Sequence, residues 1–241
     1  NGISPKDIGG GINLHNTNHL MKPIISNCTI RNNNSISGGS GIGCKALDSL
    51  SVMQPTISNN TITNNSITSS LVRGTGIEIF ALDNASVKAY ILGNNISYNY
   101  GVGVFIFAEN GGQNFSIIDN NSITNNFSCG ITLNSSEDGK IQSLISCNNI
   151  FSNLGEGILA YSNINGELNT IITKNTIAHH KQGLFNAIKL CSSGGQSNLT
   201  ISSNRIFDNK GGIIAETNGG GPFIQHPSFY DLNIYNNLIY N

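Results

Sequence analysis

Charge is scarce in this chain. Its 12 Lys and Arg against 13 Asp and Glu make up 10% of the residues and leave a formal net charge of −1. No basic stripe points to nucleic acid, and no acidic tail points to a cationic partner. The few Glu and Lys also disfavour long surface helices, which draw on those residues. Tryptophan is absent and proline numbers 5. No apolar run reaches the roughly 18 residues that cross a bilayer as a helix. No signal peptide is visible and the chain opens on Asn1 rather than Met, which reads as a mature or excised piece. The five cysteines (Cys28, Cys44, Cys129, Cys147 and Cys191) form an odd set without a C-x-x-C pair. That fits neither a zinc site nor a dense disulfide framework, and reads as small buried side chains. No metal and no cofactor is expected.

What the chain has is a repeat. Ile118, Asn121, Ile123, Asn126, Gly130 and Ile131 recur 27 residues later as Ile145, Asn148, Ile150, Asn153, Gly157 and Ile158. The Ile of this Asn-x-Ile element returns at Ile30, Ile62, Ile96, Ile123, Ile150, Ile177, Ile206 and Ile239, with another Ile five positions before each. A period of this size, rich in β-branched residues and Asn turns, predicts a solenoid. The ladder meets no linker, so residues 1–241 are expected to form a single domain. Each unit predicts three short strands: a Gly-Ile strand, a strand ending on the Ile before the Asn turn, and the Asn-x-Ile strand itself. Period-two alternation turns their Ile and Leu inward, and coils stack about 4.8 Å apart.

The asparagines form two series. Asn60, Asn94, Asn121, Asn148, Asn175, Asn204 and Asn237 share one turn position, which Cys28 takes in the first unit. Asn33, Asn65, Asn99, Asn126, Asn153 and Asn209 mark the next bend, where His180 interrupts. Asparagine tolerates left-handed backbone and caps turn amides, so these residues are expected to make the turns and to bond as ladders along the axis.

The segments SNCTIRNN, SNNTITNN and CNNIFSN resemble the right-handed parallel β-helix repeats of the pectate-lyase-like superfamily, over about residues 9–241. The resemblance implies an all-β, single-stranded right-handed parallel β-helix of about eight coils. It implies no single activity, since such helices include lyases, hydrolases, epimerases, phage tailspikes and secreted surface proteins.

A lyase on this scaffold would want several carboxylates for Ca²⁺ and an Arg or Lys base, and a hydrolase two or three close Asp residues. The one adjacent acid pair, Glu137 and Asp138, sits in the polar loop NSSEDGK, and the arginines are Arg31, Arg73 and Arg205. Neither motif is present. The remaining polar cluster is IAHHKQG, with His179, His180 and Lys181, and with Glu156 one unit earlier and Asp208 one unit later. Stacking is expected to bring these five together for acid–base work on a sugar, unless they are simply polar turn residues. On the outward side of the Gly-Ile strands, Phe80, Phe105, Phe107 and Tyr161 are expected to line an exposed aromatic strip. Such a strip contacts a glycan, another protein or a covering loop.

The leading expectation is an extracellular or cell-surface structural and binding module. It would be an adhesin-like or fibre-like stalk that contacts polysaccharide or stacks end to end with copies of itself. The alternative is a polysaccharide-active enzyme, a lyase, epimerase or glycoside hydrolase, built on the His179 cluster.

Overall fold

Strand-forming Ile, Val and Thr recur here in alternation with polar residues, and a pleated strand buries every second side chain. In the computed structural model that alternation becomes, among the described residues, three long parallel sheets and a two-stranded one, Asn34–Ser35 with Ser66–Ile67. The structure describes residues 10–35, 39–67, 74–180, 185–217 and 229–240. The first sheet holds eight strands, from Ile12–Thr17 to Gly211–Thr217, and the third holds eight, from Thr29–Arg31 to Leu238–Tyr240. Together they close about seven full turns of a solenoid. The second sheet runs from Leu20–Met21 to Phe229–Tyr235. Its strands break in the first two coils at Pro23 and Pro55, which have no N–H to give to a ladder.

Equivalent residues pair in register from coil to coil. Ile123 pairs with Ile150 and Ile150 with Ile177, as Ile118 does with Ile145 and Ile145 with Ile172. These side chains are fully buried in one continuous core. Each contributes roughly 1.5–3 kcal/mol relative to an exposed side chain. The glycine that precedes the first inward Ile or Val in most first-sheet strands (Ala187 takes the position in one) has a steric cause. A Cβ on Gly130 would lie 2.7 Å from the carbonyl oxygen of Gly157 and 2.7 Å from Ile150 Cγ2.

Both asparagine ladders form. Asn148 is typical: its Nδ2 donates to Ile118 O at 2.8 Å and to Asn175 Oδ1 at 2.9 Å, while its own Oδ1 accepts from the N–H and Nδ2 of Asn121. One buried side chain thus ties three coils. The left-handed backbone, however, belongs to the residue before each ladder asparagine. Asn59, Gly93, Asn120, Cys147, Lys174 and Ser203 hold the first series of positions, and Asn64, Tyr98, Asn125, Ser152, His179 and Asp208 the second, all with φ between 53° and 63°. The ladder residue is kept for its amide, and the turn is made one position earlier.

His180 occupies a ladder position and is fully buried. Its N–H donates to Asn209 Oδ1 at 3.1 Å, and Nε2 lies 3.3 Å from Ile150 O, where an asparagine would place Nδ2. Nδ1 lies 3.2 Å from the carbonyls of Asn153 and Gly155. The ring offers Asn153 no oxygen, so the ladder is interrupted at that step. Burial holds the imidazole below its ordinary range, opposed by those three carbonyls, Ile150 first.

Asn148→Ala removes four buried hydrogen bonds and is expected to lower unfolding free energy by about 3 kcal/mol in denaturant titration. The exposed neighbour change Asn120→Ala, which only strains a left-handed turn, is expected to cost about 1 kcal/mol. His180→Asn restores the missing acceptor and is expected to stabilise by about 1 kcal/mol at neutral pH. In the parent, the unfolded chain takes a proton near the ordinary imidazole value of 6.5 and the folded chain does so only lower. Stability is therefore full above that value and falls as pH drops from it toward the depressed folded one. Melting curves between pH 7.5 and 5 should show this acid loss in the parent and less of it in His180→Asn.

Candidate functional site

Strand register places the outward side chains of the first sheet in columns. Phe80 pairs with Phe107, and Glu78 with Phe105, one coil on. The three rings pack on one another, with centroids 5.8 Å (Phe80–Phe105), 5.2 Å (Phe80–Phe107) and 5.9 Å (Phe105–Phe107) apart. Phe105 and Tyr161 also pack against Val102, Cys129 and Leu159. The strip expected to be exposed is thus largely a second, outer core. Phe80 is only 2% exposed, and Phe105, Phe107 and Tyr161 are half-buried. The physical reason is that rings longer than the coil spacing lean on their axial neighbours and on the turn residues that flank the strands.

Glu156 joins this face and not the histidines. It is buried, and its Oε2 accepts from Cys129 Sγ at 3.3 Å. Burial, reinforced by the Glu156 charge, pushes the Cys129 thiol up to about 12. Burial likewise raises Cys191 and the Tyr161 phenol. Nearby, Lys189 pairs with Glu216 at 3.1 Å, and that hydrogen bond raises its ammonium. The thiols here stay protonated at neutral pH, which is the state of a packing group and not of a nucleophile.

The third sheet and its turn give a different surface. His179 Nδ1 meets Asp208 Oδ2 at 2.6 Å, with both side chains half exposed. The carboxylate can accept only from Nδ1–H, so the neutral tautomer that fits this contact carries its lone pair on Nε2. Phe151 and Phe207 pack against the imidazole at 5.9 and 5.7 Å between centroids and lie 6.5 Å from each other. Beside it lies a hollow of about 560 Å³ lined by Tyr98, Asn125, Phe127, Ser152 and His179 among others. Of the five acid–base candidates, the structure unites His179 and Asp208, turns His180 into the core, and sends Glu156 to the first sheet. Lys181 lies outside the described residues. Tyr98, Phe127 and Ser152 escaped sequence reading. The signal that finds Tyr98 and Ser152 is the residue just before each ladder asparagine, read as its own column; Phe127, just after Asn126, has no such signal.

A groove of about 600 Å³ lies on the outward face of the second sheet, which sequence reading also passed over. One column there is apolar, with Ile117, Leu144 and Ile171 in register. The parallel column runs through Phe115, Gln142, Asn169 and Asn198. Asn198 Nδ2 donates to Asn169 Oδ1 at 2.8 Å, and Asn169 Nδ2 to Glu167 Oε1 at 2.7 Å. Lys140 completes the relay, 3.0 Å from Glu167, and holds that carboxyl below its usual range. Ile171 is 49% exposed at the centre of the groove. Among the described residues, no group of three or more His, Cys, Asp and Glu is placed to hold a metal ion.

The family model described as "Right handed beta helix region" matches residues 6–195. No curated protein and no solved structure matches the chain. The coil-by-coil register and the extent of that match lead to one assignment: this chain belongs to the right-handed beta helix family.

Proposed function

We propose that this protein is a structural module working outside the cell, whose second-sheet groove holds a neutral polysaccharide. The observation that carries this reading is the pairing of an apolar column with an amide column along one groove. A sugar ring has an apolar C–H face and a hydroxyl rim. Ile117, Leu144 and Ile171, with the Phe115 ring, suit the first. Gln142, Asn169 and Asn198, each both donor and acceptor, suit the second. Equivalent side chains recur every 4.8 Å or so along the axis, so successive sugars of a polymer meet equivalent partners. The near-zero net charge favours a neutral polymer over an ionic one.

Isothermal titration calorimetry against soluble β-glucans, mannans and xylans tests this reading. One class should bind, and Ile171→Asp should weaken it at least tenfold, about 1.4 kcal/mol, by charging the apolar column. Ile164→Asp, at an exposed turn position away from the groove, should leave affinity unchanged. Binding equal in the parent and Ile171→Asp, or no binding by any class, would remove the groove from the account.

A further inference from the structure

The left-handed turn position between the third and first sheets repeats once per coil. On five consecutive coils it carries Tyr98, Asn125, Ser152, His179 and Asp208, each one residue beyond strands that pair in register. The backbone confirms the stacking: Asn125 N–H donates to Phe151 O, Ser152 N–H to Ala178 O, and His179 N–H to Asp208 O, each at 3.1 Å. Neighbours in such a column stand about 4.8 Å apart. We infer that Ser152, His179 and Asp208 form a nucleophile–base–carboxylate centre that hydrolyses acyl esters, with the Asn125 carboxamide as its oxyanion donor. The centre is independent of the second-sheet groove.

Each role rests on position and chemistry. Asp208 fixes the imidazole through the 2.6 Å contact to Nδ1, which leaves Nε2 as the basic nitrogen. Phe151 and Phe207, 6.5 Å from each other, both pack against the ring and restrict its rotation. Ser152 is one coil before His179, and both line the same hollow. Ser152 Oγ and His179 Nε2 are not hydrogen-bonded to each other here, and such bonds often close only around substrate. Asn125 stands on the far side of Ser152 and lines the hollow too, where an amide N–H can meet developing negative charge. Tyr98 and the exposed Phe127 ring, stacked on Tyr100 at 4.5 Å, supply an aromatic wall for a ring-bearing ester.

The reaction balances with water as sole co-reactant. Ser152 Oγ bonds to the acyl carbon as its proton passes to His179 Nε2. The ester C–O bond then breaks, and the departing alkoxide takes that proton. Water attacks the acyl-serine by the same relay and releases the acid.

The test is labelling with a fluorophosphonate, located by mass spectrometry, alongside hydrolysis of p-nitrophenyl acetate. The expected result is an adduct on Ser152 and turnover that both disappear in Ser152→Asn. Asparagine already holds this left-handed position at Asn125, so the variant keeps the fold. Asp208 is a positioning residue, so Asp208→Asn should cut kcat and labelling rate by about 100-fold or more with KM little changed. A purely structural role for Asp208 would not produce that split. Absence of an adduct on Ser152, or labelling unchanged in His179→Asn, would overturn the assignment. Polysaccharide affinity should be the same in Ser152→Asn as in the parent, which separates failure here from failure of the groove.

Discussion

The structure depends on the axial hydrogen bonding of its buried asparagines. Asn121 donates to Ile91 O in the coil before and to Asn148 Oδ1 in the coil after, and Asn148 repeats the pattern with Ile118 and Asn175. None of these amides reaches water, so each must find its partners inside the stack. A coil that slipped by one residue would leave buried donors unsatisfied on both sides and turn its Ile outward. Register is thereby fixed at two corners of each coil, save where Cys28 and His180 stand in for a ladder asparagine. The spacing from Ile118 to Asn121 to Ile123 to Asn126 is accordingly the same as from Ile145 to Asn148 to Ile150 to Asn153, whereas the link from Asn65 to Gly76 is longer than that from Asn126 to Gly130. Insertions collect where no ladder runs.

This constraint explains why the solenoid was legible in the sequence. Buried amides and inward isoleucines leave few acceptable alternatives, so identical residues recur at identical offsets. The left-handed turn position was read one residue late because Asn-Asn pairs such as Asn59–Asn60 and Asn125–Asn126 look alike on either half. Gly93, Cys147, Lys174 and Tyr98 in the first half show the difference. An exposed left-handed residue costs only about 1–2 kcal/mol, so many side chains are accepted there, while the ladder half needs its amide. His180 is the exception that tests this rule. It survives by setting Nε2 where Nδ2 would be, at the loss of one axial link.

The outward faces were harder to read for a different reason. Alternation shows which side chains leave the core but not what they meet next. Phe80 points outward and is buried all the same, because Phe105 and Phe107 from the next coil close over it. Glu156 and His179 lie a coil apart in the chain, yet one faces the first sheet beside Cys129 and the other leaves the third-sheet turn toward Asp208. Corner geometry, and not sequence distance, decides which titratable groups meet. The second-sheet groove was invisible because its signal is spread over four coils, one unremarkable Ile, Leu, Asn or Gln at a time.

A solenoid whose ladders and aliphatic stacks carry its stability leaves the remaining columns free to vary. Each such column is a one-dimensional site with a fixed spacing of about 4.8 Å between side chains. Uniform columns make surfaces suited to repeating partners, as Ile117, Leu144 and Ile171 do. Mixed columns bring unlike chemistry into line, as where His179 meets Asp208 with Ser152 one coil before. The rigid backbone on which they stand limits reorganisation, which is what positioned acid–base groups require. The same repetition that makes this fold plain in the sequence therefore hides its chemistry, because a functional residue looks like one more variation at a tolerant position until the coils are stacked.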